Sequence, residues 1–290
     1  MCAAPIIPAK PRATKRACPQ PYPDCGRLQP VNARSALFDL YGDHLRSRGG
    51  RAPVAALVRL LAPLGVAAPA VRTAVSRMVR QGWLEPLRLP EGPGYALTPR
   101  AVRRLDEASM RIYRTQQSGW DGTWHLVVTT GTPERSRRGR IRSGLTFLGY
   151  AQLDDATWIG PRPSDEVDAL LEVEGVRAER FTARHDGDTQ GLVRQAWDLE
   201  GLARSYTRWL RDAKDIAAEA VEPTGDEQAF ATRSRLVHEW RKFLFRDPGL
   251  PRALLPETWP GEHAADFFDT ESRRLLPAAA RFVDSCLPSS

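Results

Sequence analysis

Cysteine is scarce: four in 290 residues, at Cys2, Cys18, Cys25 and Cys286. That spread has neither the density of a disulfide-stapled secreted domain nor the close pairs that hold zinc, and reduced thiols in a cytoplasmic protein fit it. Long apolar runs are absent, since no stretch approaches the ~20 residues of a membrane span. The opening, MCAAPIIPAKPRATKRACPQPYPDC, lacks the unbroken apolar core of a secretory signal. Rich in proline and charge, residues 1–33 are expected to form a disordered tail. Catalytic signatures are missing too: no G-x-S-x-G elbow, phosphate-binding glycine loop or H-E-x-x-H occurs. The chain is therefore expected to carry no catalytic residue, no metal and no cofactor.

What it does carry is arginine, unevenly. Residues 1–117 hold 19 Lys+Arg against 7 Asp+Glu, a balance of +12, and the rest of the net +7 chain is at −5. A basic front on an acidic back suits a nucleic-acid-binding module joined to something else; a solvated basic surface is the plainer alternative.

Patterning favours the module. In NARSALFDLYGDHLRSRGG, Leu37, Leu40, Tyr41 and Leu45 recur at helical spacing, and Gly49-Gly50 end the helix. A second helix opens at Pro53, carries Val54, Leu57, Leu60 and Leu61 inward, and stops before Pro63. The third spans about Ala68 to Gln81. Advancing 100° per residue from Arg72, Ser76 falls at about 40°, Arg80 at about 80°, Thr73 at about 100° and Arg77 at about 140°. Val71, Ala74, Val75, Met78 and Val79 fill the opposite side, between about 200° and 340°. WLEPLRL, a PEGPG turn and YALT then read as a hairpin, and Thr98-Pro99 open a basic helix reaching about Gln117. Two helices around a short turn, then a hairpin, is the plan of a winged helix-turn-helix, over residues 34–118.

Residues 119–197 read in the order βαββαβ: TWHLVVTT, a basic helix through Ile141, Leu145 and Leu148, short strands at YAQLD and TWIGP, an acidic helix with Val167, Leu170 and Leu171 inward, and VRAERFTARHD. This is a ferredoxin-like pattern, and the chain as a whole is α+β. Residues 198–290 are expected to be helical, the last helix interrupted near Pro277.

In order along the chain, ALFDLYGDHLRSRGG, LLAPLGVAAPAVRTAVSRMVRQGWLE, GTWHLVV and FLFRDPGLPRALLPETWPG resemble the PaaX family of bacterial transcriptional regulators, from about Asn32 to the C-terminus. The resemblance implies a homodimeric repressor released by a small-molecule effector, a coenzyme A thioester such as phenylacetyl-CoA; the two-fold symmetry of a dimer in turn requires an inverted-repeat DNA operator. One departure is the VAAPA turn before the third helix, where the family often has a Ser, Thr or Asp cap; losing that cap costs about 1 kcal/mol.

Arg72, Thr73, Ser76, Arg77 and Arg80, with Arg88 on the hairpin, are the expected DNA-binding residues, because a guanidinium fork pairs two acceptors of guanine at once. Arg72 and Arg77, nearer the helix N-terminus, are assigned to bases; Arg80 and Arg88 to phosphate. The run Arg135, Arg137, Arg138, Arg140 and Arg142 could hold effector phosphates, add DNA contacts, or form ion pairs with the acidic half. Arg138 and Arg142, with His238 and Arg241 on a C-terminal helix, are the effector-binding candidates. The last two could equally anchor the proline-rich connector, and Trp120, Trp124 and Trp158 could line an aryl pocket or simply fill the core. A nuclease of the CRISPR-associated ferredoxin-fold type is the rival from another class. It needs a metal-binding carboxylate at the end of the first central strand. Here that strand ends in Thr129, Thr130 and Thr132, and a loop turn accounts for Asp154 and Asp155.

Overall fold

The computed structural model describes residues 32–113, 119–131, 134–220 and 225–287. The tail as far as Val31, with Cys2, Cys18 and Cys25, lies outside them, as do Thr132 and the expected last turn of the helix ending near Gln117. The first helix starts at Ala33, just inside the span read as tail, and the Asn32 side chain caps it, accepting from the Arg34 N–H at 2.9 Å.

Helix α1 (Ala33–Leu40) runs on through a π-helical stretch, Tyr41–Leu45, and a 3₁₀ turn, Arg46–Arg48. Gly49 closes it at φ +83°, a conformation costly for any side chain. A strand that periodicity could not show follows, β1 (Arg51–Pro53). Proline is tolerated there because β1 is an outer strand of a three-stranded antiparallel sheet ordered β1-β3-β2. Helices α2 (Val54–Leu61) and α3 (Ala68–Arg80) come next, then β2 (Leu84–Leu89), β3 (Gly92–Leu97) and α4 (Pro99–Ile112). Proline at the first position of α4 and the Thr98 hydroxyl, which accepts from the Ala101 N–H at 3.2 Å, set its start.

The middle of the chain contains β4 (Thr123–Thr130), α5 (Arg135–Phe147), β5 (Ala151–Gln152), β6 (Thr157–Gly160), α6 (Glu166–Glu174) and β7 (Arg177–Arg184). Its sheet is antiparallel, ordered β5-β6-β4-β7. One face packs Val127 and Trp158 against Ile141 and Leu145 of α5 and Val167 and Leu171 of α6. The other buries Trp124 and Ile159 against Val193, Leu250 and Leu254. Gly149, at φ +90°, lets the α5–β5 turn press on the connector: a Cβ there would stand 2.6 Å from the Pro248 carbonyl oxygen.

Helices α7 (Thr189–Ala196), α8 (Leu199–Ala218), α9 (Asp226–Trp240) and α10 (Pro260–Cys286) complete the chain. Contrary to the expected interruption, α10 continues through Pro277. A proline inside a helix forfeits a hydrogen bond and costs about 3 kcal/mol. Burial of Leu275, Ala279 and Val283 on either side of it offsets that loss.

These last helices do not form a separate layer. Phe230 of α9 and Ala279, Val283 and Cys286 of α10 belong to the same apolar core as Leu37, Tyr41, Leu57, Leu60, Val75 and Met78. The Arg59 guanidinium donates to the Cys286 carbonyl, and Arg48 Nε meets Asp284 at 2.7 Å.

Candidate nucleic-acid interface

Helix α3 has the two faces its sequence predicts. Val71, Ala74, Val75 and Met78 are buried in the core shared with α1 and α2, while Arg72, Thr73, Ser76, Arg77 and Arg80 are exposed. Ala67 caps the helix without a side-chain hydrogen bond. The Thr73 hydroxyl turns back to donate to the Pro69 carbonyl at 2.9 Å, so it tightens the first turn instead of standing free.

The hairpin is fixed at its root. Trp83 meets Phe38 edge-on, with ring centroids 5.3 Å apart, and the Arg100 guanidinium lies 4.5 Å above the indole. The Thr98 hydroxyl donates to the Gly82 carbonyl at 2.8 Å, joining the start of α4 to the end of α3. Gly94 of β3 has no room for a side chain: a Cβ would fall 2.5 Å from Leu89 and 3.0 Å from the Ala52 carbonyl oxygen.

None of Arg72, Arg77, Arg80 or Arg88 has an ion pair or a hydrogen-bonded carboxylate among the described residues, in a protein that otherwise pairs many of its arginines. Uncompensated guanidiniums on the outer face of a rigid helix suit a polyanion. Arg88 shares its hairpin with Glu85 and Glu91, so the positive face belongs mainly to α3.

Behind this face lies a buried polar joint that the sequence did not single out. Arg233 of α9, 3% exposed, contacts the Asp43 carboxylate through Nη1 and donates from Nε to the Ser272 carbonyl at 3.0 Å. The Tyr113 hydroxyl donates to Asp43 and lies 3.3 Å from Arg233 Nη2. One turn away, Asp39 receives His238 Nδ1 at 2.8 Å and Arg241 Nη1 at 2.6 Å. His238 and Arg241 thus face a carboxylate of α1, not the proline-rich connector. Burial pushes the Arg233 pKa down to about 10, which leaves it charged at neutral pH.

His44 sits beside this joint, 1% exposed and with its Nε2 3.1 Å from Asp43 Oδ2. Proximity alone would suggest an ion pair. Burial outweighs it and lowers the His44 pKa to about 4, with Arg48 adding to the shift and Asp284 opposing it. The ring is neutral at pH 7, so the unfolded chain takes up a proton in acid that the folded chain refuses. Stability from this group is complete above the unfolded value near 6.5 and is lost as pH falls toward 4. Between pH 6.5 and 5 the loss should be about 2 kcal/mol. Urea denaturation across that range should show this slope in the wild type and a clearly shallower one in His44→Leu; equal slopes would refute a neutral buried His44.

The arginine run of α5 divides. Arg140 pairs with Glu174 at 2.8 Å and Arg137 donates to the Glu174 carbonyl at 3.3 Å; the Arg140 contact holds the Glu174 carboxyl below the usual range. Arg135, Arg138 and Arg142 instead line a cleft of about 520 Å³ with Gln152, Asp155 and Trp158. Arg142 donates to Gln152 at 2.6 Å, whereas the side chains of Arg135 and Arg138 have no partner among the described residues. The four effector candidates therefore divide between two places, Arg138 and Arg142 on this cleft and His238 and Arg241 at the joint. Trp124 and Trp158 are core residues, and Trp120 packs edge-on against Trp124. Asp154 accepts the Ala156 and Thr157 N–H groups at 2.8 Å each, the turn role expected of it.

Helix α4 connects these parts. The Arg104 guanidinium lies 3.3 Å over the Phe147 ring at the end of α5, and burial lowers its pKa to about 10. Arg111 donates to the Asp247 carbonyl at 2.6 Å, and Trp240 of α9 donates to the Ile112 carbonyl at 3.1 Å.

Comparison with known proteins agrees along most of the chain. Residues 32–101 match the family model of PaaX-like protein, residues 117–192 that of the PaaX protein central Cas2-like domain, and residues 197–285 that of the PaaX-like protein C-terminal domain. The transcriptional repressor PaaX of Escherichia coli is 30% identical over 265 residues, covering 88% of this chain and 84% of the relative. The structure of the uncharacterized protein Rv0674 from Mycobacterium tuberculosis shares the fold, with a TM-score of 0.52 at 24% identity over 88% of this chain and 98% of that one. No helix among the described residues is long and apolar enough to cross a membrane. Three matching segments in the family's own order, on a chain whose third helix presents an unpaired arginine face, identify it as a member of the PaaX family, a transcriptional repressor and not an enzyme.

Proposed function

We propose that this protein is a cytoplasmic homodimer that represses transcription by binding an inverted-repeat duplex and leaves it when a coenzyme A thioester binds. The segments 34–118, 119–197 and 198–290 serve as a winged helix-turn-helix, a ferredoxin-like central domain and a helical C-terminal domain. Helix α3 lies in the major groove, with Arg72 and Arg77 toward bases, Arg80 toward phosphate, Ser76 beside them and Thr73 bracing the first turn. The β2–β3 hairpin follows the neighbouring backbone through Arg88. The unpaired arginine face of α3 carries this reading.

For the effector we assign the cleft on α5. Arg135 and Arg138 have no ion pair among the described residues, Arg142 stands beside them, and the concavity has the size range of small-molecule sites. Phosphates of a thioester such as phenylacetyl-CoA suit three guanidiniums on one helix. An effector anion would reach His238 and Arg241 only by displacing Asp39. Because α5 ends under Arg104 of α4, a shift of α5 bears directly on the helix that follows the hairpin.

Release requires the effector to prefer the arrangement that cannot bind DNA, since equal affinity for both shifts nothing. A coupling of about 1–3 kcal/mol gives 5- to 150-fold weaker operator binding. Titrating the protein–operator complex with a panel of aryl- and acyl-CoA thioesters at fixed salt should find one that releases DNA while its free acid does not. Arg138→Ala and Arg142→Ala should bind DNA normally and resist release. If no thioester alters affinity and calorimetry detects none bound, the effector is another small molecule or a protein partner, and only the DNA-binding part of the reading stands.

A further inference from the structure

Strand β7 is an outer strand of the central sheet, paired with β4 in unbroken register from Thr123 opposite Arg184 to Thr130 opposite Arg177. Its other edge has no backbone partner among the described residues. Free edges of this kind are usually shortened, bulged, interrupted by proline or covered, because they pair readily with another strand. β7 has eight residues, no proline, no glycine and no bulge. At its centre Phe181 is 52% exposed, on the sheet face shared with Leu126 and Trp124.

We infer that a second copy of this chain pairs its β7 antiparallel with this edge, forming one eight-stranded sheet with Phe181 opposite the partner's Phe181. The sequence of β7 selects that register. A two-fold axis perpendicular to an antiparallel pair sets one residue against its own copy. Centred on Glu179 or Arg180, it opposes like charges on the axis. Centred on Thr182, it sets Arg180 against the partner's Arg184. Centres nearer either end leave three or fewer residues of β7 paired. Centred on Phe181, it sets Arg180 against the partner's Thr182, Glu179 against the partner's Ala183 and Ala178 against the partner's Arg184, with no like charges opposed. Two aromatic rings then meet on the axis, a favoured cross-strand pair.

This surface rests on the homodimer reading above, and the test separates the two. Sedimentation of the full chain should show a dimer. Phe181→Glu should raise the dimer dissociation constant at least a hundredfold with an unchanged circular-dichroism spectrum, since the side chain is exposed in the single chain. In a chain with Cys2, Cys18 and Cys25 replaced by serine, Phe181→Cys should oxidise to a covalent dimer and Thr182→Cys should not. A wild type that stays monomeric, both free and on DNA, overturns the homodimer and this edge together. A wild-type dimer that Phe181→Glu leaves intact, with no covalent dimer from Phe181→Cys, overturns the edge alone and places the dimer contact elsewhere. That second result is also the one expected if the first 31 residues or another protein occupies β7.

Discussion

Replacing Arg72, Arg77 and Arg80 together by alanine should reduce operator affinity a thousandfold or more without lowering the melting temperature. A base-contacting arginine contributes about 1–3 kcal/mol, a phosphate-contacting one less, and three changes on one face sum to about 4–7 kcal/mol. Stability should hold because all three side chains are exposed and have no ion pair among the described residues, and alanine is the better helix former. The single changes should differ in kind. Arg72→Ala and Arg77→Ala should relax base preference, whereas Arg80→Ala should weaken all sequences alike and flatten the dependence of log affinity on log salt by about one unit. Fluorescence anisotropy on duplexes selected by the protein from a random pool measures both quantities. Wild-type affinity in the triple variant would remove α3 from the interface.

The second large effect should come from the joint. Arg233→Leu leaves Asp43 buried with no cation, a defect that typically costs about 3–5 kcal/mol. At about 2–4 °C per kcal/mol for chains of 150–250 residues, melting should fall by roughly 10 °C. Arg233→Leu combined with Asp43→Leu should recover part of that loss, because an apolar pair of similar volume carries no stranded charge. A single variant within 1 kcal/mol of wild type would mean that Tyr113 and its surroundings satisfy Asp43 unaided.

The difference between what was legible in the sequence and what was not follows the range of the interactions. Helix α3 was readable to within a residue because its apolar and arginine faces separate at a period of 3.6, a property of thirteen neighbouring residues. The order of β4, α5, β5, β6, α6 and β7 was readable for the same reason. Strand β1 was not, because three residues between two helices carry no period. The Asp43–Arg233 pair joins residues 190 positions apart, and nothing local to either distinguishes it from a surface charge. One signal was available: at 100° per residue Arg233 falls on the apolar arc of α9, between Trp240 and Val237, while most other polar side chains gather on the opposite side, which makes it a candidate for a buried partner. The arginine run of α5 looked uniform and proved two-sided, because the position of Glu174 beside Arg140 depends on how α6 packs.

The placement of Phe230, Ala279, Val283 and Cys286 within the N-terminal core bears on how such a protein can be dissected or recombined. A fragment ending after α4 would expose Leu57, Leu60 and Tyr41 where α9 and α10 had covered them, so the DNA reader is not an independently excisable module despite being contiguous in sequence. Chimeras between relatives that join one protein's first hundred residues to another's last ninety would mismatch a single core. The segment between them in turn shares its two cores with Ala108 of α4 and with Leu244, Leu250 and Leu254 of the C-terminal part. An exchange of that middle piece between relatives must therefore carry those partner positions with it.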